Sequence, residues 1–93
     1  MAEPAGSMRL DRFLWYARLA PDRARAQALA SAGTLRIDGR VVSRPAAAVR
    51  VGNVLGYVTH GGTVRILRVV ALPLRRGPAE EAAQLYIELT NPG

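Results

Sequence analysis

The chain is 93 residues long, with thirteen arginines, no lysine, no cysteine and a formal net charge of +6; that length points to one domain, and the missing cysteines exclude disulfides, thiolate nucleophiles and cysteine-based zinc or iron–sulfur sites. The charge is unevenly placed: residues 8–50 hold nine arginines against three aspartates, a balance of +6, while the rest of the chain holds four arginines against four glutamates. A basic half joined to a neutral half points to a polyanion-binding face on a plain scaffold rather than to a generic solubilising surface.

Residues 1–7, "MAEPAGS", read as a flexible leader and lack the basic and apolar regions of a signal peptide. A first helix is expected to begin near Asp11, with that carboxylate as its cap. Leu10, Phe13, Leu14 and Ala17 recur at i, i+3, i+4 and i+7, one apolar stripe. Trp15 and Leu19 lie off the stripe and are expected to cover a second element, the C-terminal segment being the candidate. Arg12 and Arg18 face solvent, and Pro21 ends the helix or sits just past its end. Asp22 reads as the N-cap of a second helix over residues 23–32, with Ala26, Leu29 and Ala30 inward and Gly33 as the left-handed residue that follows it.

"TLRIDGRVVS", residues 34–43, carries Asp38-Gly39 between two β-rich runs. A two-residue turn of this kind needs positive φ at both positions, which predicts a hairpin with Leu35 opposite Val42 and Arg36 opposite Val41. Residues 45–50 read as a connector and Gly52-Asn53 as another turn. Residues 54–59 and 63–72 read as strands around His60-Gly61-Gly62, with a bulge or an edge at Arg68, where strict alternation breaks. "RRGPAEEAAQLYIEL", residues 75–89, starts a short last helix: Pro78 suits the first turn, and Glu80 and Glu81 suit the positive end of the dipole. The longest uncharged run, residues 51–64, is too short and too broken to span a bilayer.

Catalytic chemistry finds few candidates. His60 is the sole histidine and reads as a solvated residue at a hairpin tip. Asp11 and Asp22 read as caps, Asp38 as a turn residue, and Glu80 and Glu81 as dipole partners. No acid, base or nucleophile is left over, so the chain reads as no enzyme, with no cofactor and no metal. The arginines differ. A guanidinium is a planar fork of donors that matches phosphate, stacks on bases and stays charged. Arg9 and Arg12 lie around the start of the first helix. Arg23 opens the second, where free N–H groups favour a phosphate and a cation alone is disfavoured. Gln27 is one turn further on the same face, and Arg40 and Arg44 lie on the hairpin and its exit. If the hairpin folds against the helix pair, these form one patch. Arg65 and Arg68 read as solvated.

"RLDRFL", then "DRARAQALASAGTLRIDGRVVSRP", then "VRVGNVL" resembles the small RNA-binding domain named after ribosomal small-subunit protein four. The likeness covers residues 9–58 with its spacing intact. Closer still is the resemblance of "MRLDRFLWYAR" and "LRRGPAEEAAQLY" to the bacterial heat-shock-protein-fifteen family, which extends the likeness to nearly the whole chain. The resemblance implies an α+β fold: a small single domain with two N-terminal helices packed on a short, mostly antiparallel sheet (residues 8–58), plus a hairpin extension and a short C-terminal helix packed on the same domain (residues 59–93). It implies a non-enzymatic protein that binds ribosomal RNA of the large ribosomal subunit; the absence of cysteine fits a reducing cytoplasm, and the chain reads as a monomer. The role implied is rescue or recycling of stalled subunits carrying transfer RNA and a nascent chain, with no membrane partner. Carried onto this chain, its RNA face matches Arg9, Arg12, Arg23, Gln27, Arg40 and Arg44. Two positions depart from the pattern: Asp22 stands where serine is usual before Arg23, which brings a negative charge beside the phosphate site, and Gly52-Asn53 stands for Gly-Asp and still turns. Competing readings are a protein-interaction adaptor using Trp15, Leu19 and the last helix, a regulator of another structured RNA, and an RNA-modifying enzyme, for whose catalytic domain the chain leaves no room.

Overall fold

Leu10, Phe13, Leu14 and Ala17, the apolar stripe of the first helix, are all buried, and they form the centre of the core with Ala26, Ala30, Leu35, Val49, Leu55, Leu67 and Val69. The computed structural model describes residues 6–59 and 61–90; residues 1–5 of the expected leader and the expected hairpin-tip residue His60 lie outside them. In chain order the elements are β1 (Ser7–Arg9), α1 (Leu10–Tyr16), α2 (Arg23–Ser31), β2 (Leu35–Ile37), β3 (Arg40–Val42), β4 (Ala48–Arg50), β5 (Val54–Val58), β6 (Val64–Val69), α3 (Ala79–Ala82), a 3₁₀ turn (Ala83–Leu85) and β7 (Tyr86–Glu88). A five-stranded sheet runs β3-β2-β5-β6-β7, and a separate ribbon pairs β1 with β4. Every pairing is antiparallel. The result is a small α+β domain.

Local chemistry accounts for much of this. Asp22 caps α2, accepting the Arg25 N–H at 2.8 Å, and Gly33 follows the helix at φ +80°. Asp38 and Gly39 take φ +52° and +84°, and the hairpin register is Leu35 to Val42, Arg36 to Val41 and Ile37 to Arg40. Alanines at the α1–α2 contact let two short helices approach closely. α1 ends without proline: Arg18 turns left-handed at φ +60°, and its N–H bonds Trp15 O at 3.1 Å while the Leu19 N–H bonds Leu14 O at 2.9 Å. This closing pattern satisfies the last carbonyls and normally uses glycine.

Five expectations are corrected. Ser7, assigned to the leader, begins β1, and the connector of residues 45–50 contains β4; the two pair in register from Ser7–Arg50 to Arg9–Ala48. Strands of three residues have no periodicity of their own, and their partners lie about forty residues apart. Arg68 sits at neither a bulge nor an edge: it faces Val54 on one side and Ile87 on the other in unbroken register. Its exposed row includes Val64 and Ile66, so the alternation holds. The last helix is only one turn long, and Tyr86–Glu88 forms an edge strand on β6, pairing backbone groups that would otherwise stay open. Arg65 is not simply solvated. It pairs with Glu88 across that edge and lies 5.7 Å over the Tyr86 ring, and its hydrogen bond holds the Glu88 carboxyl below the usual range.

The turn at Gly52-Asn53 joins the ribbon to the large sheet. Asn53 Oδ1 accepts the Arg50 N–H at 2.7 Å, and its Nδ2 donates to Asp38 Oδ2 at 2.7 Å. Asp38 Oδ1 accepts the Val54 N–H at 2.8 Å. Turn and hairpin are thereby tied by an amide–carboxylate pair. The Gly-Asp of the resembling pattern would put two carboxylates face to face here, so the departure at Asn53 matters. Asn53→Asp is expected to lower stability at pH 7 by about 1–2 kcal/mol, the cost of losing a charge-assisted hydrogen bond at a partly exposed site. The double variant Asp38→Asn with Asn53→Asp, which reverses the pair, is expected to recover most of it. Urea unfolding of the three chains measures this, and no recovery in the double variant refutes the pairing.

Candidate nucleic-acid interface

α1 is seven residues long and buries one face, so its other face is set by geometry: Arg9 just before it, then Arg12, Trp15 and Tyr16 at helical spacing. α2 crosses beside it and brings Arg23 over this face. Together Arg9, Asp11, Arg12, Trp15, Tyr16 and Arg23 line a cleft of about 170 Å³. The Arg23 guanidinium lies 5.9 Å from the centre of the Trp15 ring, within cation–π range. Trp15 and Tyr16 sit 5.5 Å apart, tilted by 47°. Trp15 therefore meets α2. Arg18 contacts the C-terminal segment, its Nε donating to Gly77 O at 2.7 Å.

Asp11 organises the cleft and is not the cap of α1. The residue before the helix is Arg9, and no side chain caps that end. Asp11 is only 6% exposed. Its two oxygens accept Arg9 Nε and Nη2, both at 3.0 Å, and Oδ1 also accepts the Arg12 N–H at 2.8 Å. The Arg9 fork holds the Asp11 carboxyl below the usual carboxylate range against the opposing effect of burial, and the Gln27 side chain adds a smaller lowering from α2. A buried carboxylate with this many donors stays ionised, and it fixes the orientation of Arg9.

Three of the six sequence-derived residues thus converge, Arg9, Arg12 and Arg23, which line the cleft; Gln27 is exposed on α2 outside that lining and adds only the small lowering of the Asp11 carboxyl. Arg40 and Arg44 do not line it. Residues 44–47 are stapled to the start of α1, with the Leu10 N–H bonding Ala47 O at 2.8 Å and the Asp11 N–H bonding Pro45 O at 3.0 Å. A larger groove of about 610 Å³ shares Arg9, Arg12 and Tyr16 with the cleft and runs to Ala48 and Leu74. A third hollow, which includes Arg40, meets it at Ala48. Arg9, Arg12, Arg23 and Arg40 therefore border a chain of adjoining depressions, and Arg44 lines none of them. At the N-terminus of α2, Asp22 already takes the Arg25 N–H and lies 3.9 Å from its guanidinium. The carboxylate occupies the place expected for a phosphate, and Arg23 turns onto Trp15 instead. Sequence reasoning missed Asp11, Trp15 and Tyr16 as members of this site. The signal was present: Trp15 and Tyr16 follow Arg12 by three and four residues, one turn along the same face.

Among the described residues, no group of three or more histidine, aspartate or glutamate side chains could hold a metal ion, and no helix is long and apolar enough to cross a membrane.

The family model described as the S4 domain matches residues 8–55. The chain is 36% identical over 86 residues to Heat shock protein 15 of Escherichia coli strain K12, a match covering 92% of this chain and 63% of that protein. The same figures hold for the protein of Escherichia coli O157:H7. The chain thus spans somewhat under two thirds of the length of these curated relatives. The trimeric structure of Heat Shock Protein 15 from Vibrio cholerae superposes with a TM-score of 0.79 at 28% identity, covering 88% of this chain and 81% of that one.

The Asp11 clamp carries a pH signature. A carboxyl held below its ordinary value of 3.8 contributes stability that is fully present above that value and is lost as pH falls through the folded one. Asp11→Asn is expected to cost about 1–2 kcal/mol at pH 7, with the gap to the parent chain narrowing as the pH drops below about 4. Urea unfolding across that range measures it; a gap that stays constant down to pH 2 refutes the clamp.

Proposed function

The chain belongs to the S4 domain family, and on that premise we propose that it binds structured RNA through the arginine-lined surface at the start of α1 and α2. The observation that carries the reading is the convergence of Arg9, Arg12 and Arg23 on one cleft in which Asp11, the sole carboxylate among the described lining residues, is already engaged by Arg9. The cleft thus presents the Arg12 and Arg23 guanidinium groups unpaired among the described residues, while Asp22 stands at the neighbouring start of α2 and pairs with Arg25. Arg40 extends the face along the adjoining hollows, and the exposed Gln27 and Arg44 are assigned to its margin. Phosphate contacts supply most of the affinity, and the shape of the RNA supplies selectivity.

The RNA we assign is ribosomal RNA of the large subunit, and the role is rescue or recycling of stalled subunits that carry transfer RNA and a nascent chain, in the cytoplasm and without a catalytic step. Similarity to Heat shock protein 15 over 92% of the chain supports this assignment and its link to stress.

If about five phosphates are neutralised, log K falls with log salt with a slope of about −3 to −5. Arg23→Glu or Arg40→Glu weakens binding at least about tenfold with the fold unchanged, since each replaces a cation facing the polyanion with an anion. Titration of large subunits and of ribosomal RNA fragments at several salt concentrations measures both. Salt-independent binding, or binding indifferent to both substitutions, rejects the surface. We also read the chain as a monomer, although the Vibrio cholerae relative is trimeric. Sedimentation equilibrium is expected to return 10.0 kDa, and a threefold larger mass would replace the monomer with a trimer.

A further inference from the structure

Backbone binding by arginine does not need an aromatic floor. The bases of a duplex are already stacked on one another, so an indole beneath a phosphate-binding rim gains nothing from them. An unpaired base has a free π-face and does gain. In the cleft between α1 and α2, Trp15 and Tyr16 form such a floor and Arg23 lies across Trp15. Its volume of about 170 Å³ is an order of magnitude above the roughly 10–15 Å³ that one water requires. Arg12 and Arg23 make no side-chain hydrogen bond or ion pair among the described residues, so both are available. Arg9 donates through Nε and Nη2 to Asp11, which leaves its Nη1 group for a ligand.

We propose that this cleft takes one unpaired nucleotide of the bound RNA, its base held between the Trp15 indole and the Arg23 guanidinium and its phosphates held by Arg9 and Arg12. The inference rests on the RNA-binding reading above and specifies what that surface recognises: a bulged or looped nucleotide rather than continuous duplex. The movement required is small. A base touching both planes needs about 7 Å between them, twice an optimal carbon–carbon separation of about 3.5 Å. Arg23 stands 5.9 Å from the ring centre, so this exposed side chain moves outward by roughly 1 Å or more. The cation–π contact of the free protein is exchanged for two stacked contacts. Asp11 keeps Arg9 in place throughout, because the Arg9 fork and the Arg12 N–H engage its carboxylate in the free protein.

The test uses the intact chain and three RNA hairpins of one sequence: a fully paired stem, the same stem with one bulged nucleotide, and that bulge made abasic. Trp15 is the sole tryptophan, so its fluorescence reports the cleft directly. The bulged hairpin is expected to bind about tenfold tighter than the other two, as one base–aromatic stack provides, and it alone should quench Trp15. Trp15→Leu is expected to bind all three hairpins equally while keeping the salt dependence of the parent chain. Should that variant fail to fold, the bulged and abasic hairpins compared on the native chain decide the matter. Salt-dependent binding that ignores the bulge and leaves the fluorescence unchanged overturns the inference and spares the RNA-binding reading. Absence of salt-dependent binding to any hairpin, or to ribosomal RNA, overturns both. Equal quenching by a free mononucleotide at the same concentration also overturns it, by making the ligand a soluble nucleotide.

Discussion

Burial of Leu10, Phe13 and Leu14 is the constraint from which the proposed interface follows. An isolated helix of seven residues has no stability in water, so α1 exists because three large side chains leave water together, each worth about 1.5–3 kcal/mol. Once that face is committed to the core, Arg12, Trp15 and Tyr16 have no choice of direction. The polar edge of α1 faces α2, and α2 is held there by Ala26 and Ala30, both fully buried. The cleft is therefore a by-product of core packing, which explains how so short a chain positions three guanidinium groups without a dedicated framework.

Carboxylates do the organising. Each of the three aspartates in the basic half has a specific partner: Asp11 holds Arg9, Asp22 caps α2, and Asp38 ties the hairpin to the turn at Asn53. None is spent in neutralising Arg12 or Arg23. The excess charge thus stays on the surface, where a polyanion can use it, while the acids stabilise local geometry. Asp22 shows the cost of this economy. A carboxylate at the N-terminus of α2 excludes a phosphate from the same N–H groups, and the neighbouring Arg23 is free to stack on Trp15.

The C-terminal third is continuous with the rest of the fold. β6 and β7 extend the sheet begun by β2, β3 and β5, and Arg18 binds the backbone at Gly77. The expected boundary at residue 58 falls at the end of β5, inside the β5–β6 hairpin. The Leu74 segment also reaches the groove that runs from Arg9 and Arg12, so that segment borders the same surface as the helix pair.

What the sequence determined by itself was whatever depends on neighbours within a few residues. The i, i+3, i+4 stripe of α1, the Asp22 cap, the left-handed Gly33 and the register of the Asp38-Gly39 hairpin all follow from chemistry contained in their own segments. Tertiary structure decided the pairings that span the chain. β1 and β4 are three residues each, too short to show a period. β7 carries the apolar residues of a helix continuation and becomes a strand because β6 offers an open edge. Asp11 looks like a cap until the fold buries it with Arg9 and Gln27 around it. Trp15 is expected against the C-terminal segment until α2 lays Arg23 across it. Arg9 is only two residues from Asp11, but the burial of Asp11, like the strand pairings and the Trp15 contact, depends on groups brought in by other elements, and local propensity carries no information about which group will arrive.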